Sequence, residues 1–299
     1  MTHALAYRRH AAYKLVACVD PDARVRSEFA ARWTVPAVFA SLDEAMAAAR
    51  YDIASVCSPT GTQLDVLERL LETDIRCVFA EKPLDGKPDR ARQLAGRYAA
   101  KGRALAVNYT RRWDPELGNL RDEIASGKWG AFRSAVGWYS RGVINNGSHL
   151  VDLISLLTQR SMQIAHIGPS YNDGVAGDPT VDAVLDAEGV PVHLVGCDGR
   201  DHSRFELTLS FERGVVEILE GGLFVRRRPL VGWPIFPHVS IASDAPRTET
   251  GYGVALVRAL DEIAAWKPGQ RLSSDADSAI AAIELADQIR ARASSRVSK

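Results

Sequence analysis

The first hundred residues alternate between short runs that are apolar throughout and longer stretches with helical spacing of apolar positions. A run without polar alternation is typical of a strand in a parallel sheet, because helices cover both of its faces. The pattern predicts strands at 13–20, 53–57, 78–80 and 104–107. It predicts helices at 4–9, 22–32, 63–73 and 87–101, and a further one after the N-cap residue Ser41. Strands and helices in this order predict a doubly wound α/β domain.

Beyond Asn108 the apolar positions alternate with polar ones, as in residues 205–211. Such alternation is typical of an antiparallel sheet. It predicts strands at 131–140, 163–168, 180–187, 190–197, 204–211, 215–219 and 223–227. It also predicts helices at 149–157, 254–266 and 275–292. We therefore expect two domains, a parallel-sheet domain at 1–108 and a C-terminal α+β domain with a large, mostly antiparallel sheet at 109–299.

Composition narrows the class of protein. Lys+Arg and Asp+Glu both number 37, so the formal net charge is zero and no global field favours nucleic acid or an anionic membrane. The four cysteines fall singly inside apolar runs, which argues against a metal site or a disulfide framework. We find neither an export leader nor an 18-residue apolar run, so a cytoplasmic globular protein is expected.

Polar residues that follow the predicted parallel strands are candidates for ligand binding, because ligands bind at the carboxyl ends of such strands. Asp20 could accept hydrogen bonds from an adenosine ribose, or it could simply form a turn before the next helix. Ser58, Pro59 and Thr60 could offer polar groups to a nicotinamide, or could form an ordinary loop.

The tripeptide Glu81-Lys82-Pro83 directly follows a buried strand. A lysine in such a place loses water and can contact a substrate oxygen, and the proline restricts the backbone of Lys82. We therefore expect Lys82 to lie at the ligand-binding edge of the sheet, where Lys82 and Glu81 are candidate contacts of a bound cofactor or substrate.

A second group of candidates lies beyond the first domain. His149 begins an apolar helix and could act as a general acid/base, with Asn145 in the loop before it, or it could be structural. Arg111 and Arg112 could clamp a hydroxyl-rich or anionic substrate, although arginines in such a stretch are most often solvated. We expect the substrate-binding residues to be Asn108, Arg111, Arg112, Trp113, Asn145 and Asp152.

Taken together, these residues resemble the glucose-fructose oxidoreductase / inositol dehydrogenase / MocA family (Gfo/Idh/MocA). The resemblance covers nearly the whole chain and is strongest from His3 to Asp152. It implies an N-terminal Rossmann domain that binds NAD or NADP and a C-terminal domain whose sheet forms a dimer or tetramer interface. Lys82 matches the family's catalytic lysine, His149 its catalytic histidine, and Asp20 the acidic residue that contacts the ribose and favours NAD.

Three positions differ from the family pattern. Asn145 stands where aspartate is usual, and Gln63 stands where histidine is common. The first strand and the glycine-rich turn of the family do not precede His3. Either the start was assigned at an internal methionine, or the protein is a degenerate homologue with a rearranged, N-terminally truncated sheet. Because that turn normally holds the pyrophosphate, we expect residues 1–299 to bind cofactor weakly or not at all.

The resulting functional hypothesis is an NAD(P)-dependent oxidoreductase that acts on a secondary alcohol or ketone of a sugar or polyol, without a metal. The alternative is a cofactor-free homologue that acts as a dimerising binding or structural protein. In either case we expect a homodimer or a tetramer. It would form through a sheet face on which Val190, Val192, Leu194, Phe205, Leu207 and Leu209 alternate with small or polar residues. The alternative is that loops such as 230–247, rich in proline and apolar residues, cover this face within one chain.

Overall fold

The computed structural model describes residues 1–84, 88–232 and 239–297, with side chains described up to residue 294. It divides the chain into two compact units. The first consists of Met1–Asn108 and Leu256–Ala276, and the second of Tyr109–Ala255 and Asp277–Lys299. A stretch near the C-terminus therefore belongs to the N-terminal unit.

The helices and strands of both units are numbered in chain order. The helices are α1 (His3–Arg9), α2 (Ala23–Trp33), α3 (Leu42–Ala48), α4 (Thr60–Leu71), α5 (Pro88–Ala100), α6 (Pro115–Ala125), α7 (Ser148–Thr158), α8 (Ala255–Ala265) and α9 (Ala276–Val297). The strands are β1 (Ala17–Val19), β2 (Ala37–Phe39), β3 (Ile53–Val56), β4 (Cys77–Ala80), β5 (Ala104–Val107), β6 (Phe132–Tyr139), β7 (Gln163–Tyr171), β8 (Thr180–Asp186), β9 (Pro191–Gly196), β10 (Phe205–Phe211), β11 (Gly214–Leu219), β12 (Phe224–Gly232), β13 (Val239–Ile241) and β14 (Arg247–Glu249).

The strand pairs that the structure describes in the first unit are all parallel, which confirms the Rossmann-type prediction. Strand β4 lies between β3 and β5, and its residues Cys77 to Ala80 are all buried. Polar residues that follow β3, β4 and β5 therefore share one edge of the sheet.

Strands β1 and β2 form a separate parallel pair. Within the described residues, neither pairs with β3, and helix α2 has no buried side chain. Val16, Val19 and Val38 are exposed by 42%, 41% and 45%. Strand β1 is shorter than the predicted 13–20, because it has only the three-residue β2 as a partner.

The second unit contains one large sheet with the order β13-β12-β11-β10-β6-β9-β8-β7, and β14 also pairs with β12. Every pair is antiparallel except β6 with β9. This arrangement confirms the prediction of a mostly antiparallel C-terminal sheet.

Helix α6 was not predicted, although its start carries a clear signal. Pro115 occupies the first turn, and the carboxylate of Asp114 accepts hydrogen bonds from the backbone of Glu116 and Leu117 at 2.9 and 3.2 Å. Proline after an N-cap aspartate is a common helix start. Strands β13 and β14 extend into the expected loop at 230–247, of which residues 233–238 lie outside the described part of the structure.

The predicted assignment of sheet faces was wrong. Val192, Leu194, Leu207 and Leu209 are at most 1% exposed and belong to the core. A Cβ atom on Gly137, which pairs with Leu207, would collide with Leu150 of α7, so this helix covers that face. The alternation was read correctly, but it does not reveal which face the helices cover.

No helix in the described ranges combines the length and the hydropathy that crossing a bilayer requires.

The hairpin between β10 and β11 depends on Gly214, which has φ 149°. A Cβ atom there would collide with the backbone oxygen of Arg228 and with the ring of Trp129. We expect Gly214→Ala to lower the free energy of unfolding by about 2 kcal/mol or more, since both the backbone angle and the contacts are unfavourable. Urea denaturation would measure the loss.

Gly189 provides a matched control, because it has φ 86° in the turn before β9 and a Cβ atom added there would meet no atom within 4 Å. Gly189→Ala should cost only the backbone strain, on the order of 1 kcal/mol. Equal losses in the two variants would show that the contacts at Gly214 contribute nothing.

Candidate functional site

Glu81 is the centre of a hydrogen-bonded cluster at the carboxyl end of β4. Its Oε1 accepts hydrogen bonds from Asn108 Nδ2 at 2.8 Å and from His3 Nε2 at 3.1 Å. Its Oε2 accepts the backbone N–H of Lys82 at 3.3 Å. Burial opposes the charge, but the hydrogen bonds from His3 and Asn108 outweigh it, so the pKa of Glu81 lies below its usual value.

His3 comes from α1 and is itself held on both sides. Its Nδ1 lies 2.9 Å from Ser55 Oγ in β3, and its ring packs on Phe79 with centroids 4.2 Å apart. Ser55 Oγ lies 2.8 Å from the hydroxyl of Tyr7. Sequence reasoning connected His3 only to the family resemblance and missed Ser55 and Tyr7, because contacts between distant elements leave no local pattern.

Gln63 holds the backbone of the Glu81-Lys82-Pro83 turn. Its Nε2 donates to the carbonyl oxygen of Glu81 and, at 3.1 Å, to that of Pro83. Gln63 is 1% exposed, so these bonds are shielded from water. The residue noted as a departure from the family pattern thus helps to fix the turn that carries Lys82. Lys82 itself is partly exposed.

Asp20 follows the end of β1 and is partly exposed. Its Oδ1 accepts the backbone N–H of Asp22 at 2.8 Å, and its carbonyl oxygen accepts a hydrogen bond from Arg26 at 2.6 Å. The structure therefore shows the turn that the sequence also suggested. The ribose contact remains a prediction for this carboxylate.

Ser58, Pro59 and Thr60 lead from β3 into α4. Pro59 is the N-cap, and no side chain caps the first backbone N–H groups of α4. Ser58 Oγ is enclosed and lacks a hydrogen-bond partner among the described residues. An enclosed hydroxyl and an uncapped helix start suit the polar and anionic groups of a dinucleotide, so these residues fit the predicted cofactor.

In the second unit, His149 lies in the first turn of α7 and is partly exposed. The ring of Tyr109 packs edge-on against it, with centroids 5.0 Å apart and an interplanar angle of 67°. Burial raises the pKa of Tyr109, and the charge of Asp152 adds to the effect, so the phenol stays neutral beside the imidazole.

Asn145 lies in the short π-helical turn (Val143–Gly147) that precedes α7. The buried carboxylate of Asp178 accepts the backbone N–H groups of Ile144 and Asn145 at 2.9 and 2.8 Å. Asn145 Nδ2 donates to the carbonyl oxygen of Arg141 at 3.1 Å. Sequence reasoning missed Asp178, which is distant in the chain from the turn that it holds.

Three of the expected substrate-binding residues have structural contacts within the second unit. Arg112 Nε donates to the buried carboxylate of Asp152 at 2.8 Å. The Arg111 guanidinium stacks on Phe205, 3.8 Å from the ring centroid, and donates to the carbonyl oxygen of Gly221. The alternative that these arginines are merely solvated is therefore wrong, since Arg111 is only 8% exposed.

Trp113, another expected substrate contact, is 6% exposed. Substrate contacts of Arg111, Arg112, Trp113 and Asp152 remain predictions. Among the residues that the structure describes, no group of three His, Cys, Asp or Glu side chains could hold a metal ion.

The Gfo/Idh/MocA family model, described as an oxidoreductase family with an NAD-binding Rossmann fold, matches residues 1–109. This stretch includes Asp20, the Ser58 loop and the whole Glu81 cluster.

Inositol 2-dehydrogenase from Rhizobium meliloti (strain 1021) is 30% identical to this chain over 128 residues. The match covers 43% of the chain and 38% of that relative, so it spans less than half of the relative's length. The match therefore does not show that this chain has the activity of the relative.

Solved structures share the fold over almost the entire chain. KijD10, a 3-ketoreductase from Actinomadura kijaniata in complex with NADP, has a TM-score of 0.74 at 15% identity and covers 97% of this chain and 92% of its own. An oxidoreductase from Agrobacterium radiobacter in complex with NAD+, L-tartaric acid and magnesium has a TM-score of 0.73 at 12% identity and covers 98% and 92%. At such identities the likeness shows the fold alone.

We expect Asp178→Ala to destabilise the turn that carries Asn145, because it leaves two backbone N–H groups without their acceptor. The free energy of unfolding should fall by about 2–6 kcal/mol, given a cost of about 1–3 kcal/mol for each of the two unsatisfied groups. Urea denaturation would measure the loss, and amide hydrogen exchange at Ile144 and Asn145 should accelerate.

Asp186→Ala is the control, since that carboxylate accepts one exposed N–H, from Gly189 at 2.8 Å. Its loss should be smaller and should leave exchange at Ile144 and Asn145 unchanged. Unaltered exchange in Asp178→Ala would contradict the assigned role.

Proposed function

We propose that this protein is an NAD(P)-dependent oxidoreductase that transfers a hydride between nicotinamide and a secondary alcohol or ketone of a sugar or polyol. The observation that carries the proposal is the Glu81-Lys82-Pro83 turn. It lies at the carboxyl end of a central buried strand and is held by His3, Asn108 and Gln63. The family match of residues 1–109 and the resemblance to inositol 2-dehydrogenase support the reaction class and the substrate class.

The residues proposed to bind the cofactor are Asp20, Ser58, Pro59, Thr60, Glu81 and Lys82. When bound, the nicotinamide accepts or returns the hydride that leaves the carbinol carbon. The partly exposed carboxylate of Asp20 would accept hydrogen bonds from ribose hydroxyls and repel a 2′-phosphate, so we favour NAD over NADP. The enclosed Ser58 hydroxyl and the uncapped start of α4 would contact polar groups of the cofactor.

In the oxidation, the carbon–hydrogen bond breaks with its electron pair, and the hydroxyl proton must leave as the carbonyl forms. We assign the acceptance of that proton to His149, a partly exposed imidazole in the first turn of α7. Lys82 would orient and polarise the substrate oxygen, and Asn145 would hydrogen-bond the substrate or His149 without adding charge. Reduction uses the same groups in reverse.

Two further assignments follow from the contacts of the second unit. Arg112 and Asp152 form a buried ion pair, and we propose that it supports α7 below His149 in addition to any substrate contact. Arg111 is held by two aromatic rings and a backbone oxygen, which suits a supporting role better than a mobile clamp.

We also propose that the chain forms a homodimer, or a dimer of such dimers, through the sheet face opposite α7. That face carries the half-buried Trp138, Val136 and Val195, and the guanidinium of Arg204 lies 4.8 Å from the Trp138 ring centroid. The described ends of the 230–247 stretch do not provide an apolar cover, since Val239 is itself 67% exposed. A second copy would cover the face in an isologous interface.

For catalysis, we expect His149→Ala to lower kcat by about 10²–10⁴-fold, the usual contribution of a general acid/base. Lys82→Ala should lower kcat by about 10²-fold or more, because it removes a charged group from the reacting oxygen. The assay follows the nicotinamide absorbance with a panel of inositols and sugar derivatives, with NAD and NADP in parallel.

The matched controls are His166→Ala on β7, an exposed histidine, and Lys101→Ala, an exposed lysine paired with Glu72 at 2.7 Å. Both should retain wild-type turnover. Turnover that survives in the double variant of Lys82 and His149 would overturn the assigned roles.

For assembly, light scattering at micromolar concentration should give twice or four times the chain mass. Trp138→Asp should shift the protein toward the monomer, because it places a charge at the centre of the proposed interface. Val239→Asp, which changes an exposed valine on β13, should leave the mass unchanged. A monomeric wild-type protein would show that the face is covered within one chain.

A further inference from the structure

Four side chains in the first unit form a continuous hydrogen-bonded chain that ends at Glu81. The Tyr7 hydroxyl lies 2.8 Å from Ser55 Oγ, and Ser55 Oγ lies 2.9 Å from His3 Nδ1. His3 Nε2 lies 3.1 Å from Glu81 Oε1. Tyr7 and His3 are 6% and 8% exposed, so water does not compete strongly for these contacts.

The donor and the acceptor of each hydrogen bond in this series follow from the protons that each group carries. An ionised carboxylate only accepts, so His3 Nε2 must carry a proton and donate it to Glu81. Burial raises the pKa of Tyr7, so its phenol also keeps a proton. In the described residues the only hydrogen-bond partner of that hydroxyl is Ser55. Tyr7 therefore donates to Ser55, and Ser55 donates to His3 Nδ1.

The opposite arrangement leaves a buried donor without an acceptor. A proton on His3 Nδ1 would make Ser55 Oγ an acceptor on that side. Ser55 would then either donate to Tyr7, leaving the Tyr7 proton without an acceptor among the described residues, or also accept from Tyr7, leaving its own proton without one. Either outcome is unfavourable for a group shielded from water. The network thus selects the neutral Nε2–H form of His3.

The hydrogen bond from His3 also affects the backbone of Lys82, because Glu81 contacts both residues. The carboxylate that receives the His3 proton through Oε1 also accepts the backbone N–H of Lys82 through Oε2. A carboxylate is planar and rigid, so a donor that fixes one oxygen also fixes the direction of the other. Asn108 Nδ2 adds a second restraint on Oε1 at 2.8 Å.

We propose that His3 is a positioning residue that acts through Glu81. Held as the Nε2–H tautomer by Ser55 and Tyr7, it orients the Glu81 carboxylate and thereby the backbone at Lys82. This inference rests on the proposed function only in that Lys82 is taken as the group that contacts the substrate oxygen.

The test uses the full chain with two substitutions at His3 and one control. His3→Phe keeps a ring against Phe79 but removes both nitrogens. His3→Gln retains an N–H donor at the distance of Nε2 from the backbone. His10→Phe removes a histidine that also pairs with a carboxylate, at 2.9 Å from Asp261, but that lies apart from Glu81.

The first readout is independent of activity. Nitrogen-15 spectra of the imidazole should show a proton on Nε2 and none on Nδ1. The amide proton of Lys82 should move upfield in His3→Phe and stay near its wild-type position in His3→Gln and His10→Phe. A proton on Nδ1, or a Lys82 amide that is unchanged in His3→Phe, would overturn the proposal.

The second readout is kcat in the polyol assay. We expect a loss of about tenfold in His3→Phe, the size of one charge-assisted hydrogen bond, and a loss within about threefold in His3→Gln. His10→Phe should match the wild type. Equal losses in His3→Phe and His3→Gln would show that the N–H donor retained by glutamine has no effect on kcat, and would overturn the proposal. If the wild type turns over no polyol, the proposed function fails, and the spectra alone decide the role of His3.

Discussion

The carboxylate of Glu81 is partly shielded from water at the end of β4, where its charge is stabilised by the hydrogen-bond donors around it. Those donors come from three places in the chain: α1 supplies His3, the residue after β5 supplies Asn108, and the turn itself supplies the Lys82 N–H. Satisfying one charge therefore fixes the relative positions of a helix, a strand end and the turn. The partly exposed Lys82 gains a defined backbone position from a neighbour that need not react.

In the second unit a different carboxylate fixes the position of a turn. Asp178 accepts two backbone N–H groups from the turn that contains Asn145, and that turn leads directly into the helix that carries His149. A Cβ atom on Gly142 would collide with Asp178, so glycine is required where the carboxylate approaches the chain. In both units a shielded acid sets the geometry, while the proposed reactive side chain is left partly exposed.

The sequence predicted the fold class well, because runs that are apolar throughout and runs that alternate reflect burial on two faces or one. It also indicated Glu81, Lys82 and His149 as candidates, since each follows or begins a strongly patterned element. It did not indicate Ser55, Tyr7 or Asp178, because Ser55 bonds Tyr7 across 48 positions and His3 across 52, and Asp178 bonds Asn145 across 33. Nor could alternation alone show which face of the second sheet is covered, because both faces carry some apolar residues.

The parallel pairing of β6 with β9 has a consequence for how the second unit folds. Strands β7 to β9 form one antiparallel meander, and β10 to β12 form another. Each meander pairs strands that are consecutive in the chain, so it can form from local contacts. Strand β6 precedes both in the chain but lies between them, paired with β9 on one side and β10 on the other. Joining the meanders therefore requires closure of a long loop, which places the entropic barrier at the docking of a single strand. The two antiparallel meanders therefore become one sheet only when β6 pairs with both β9 and β10.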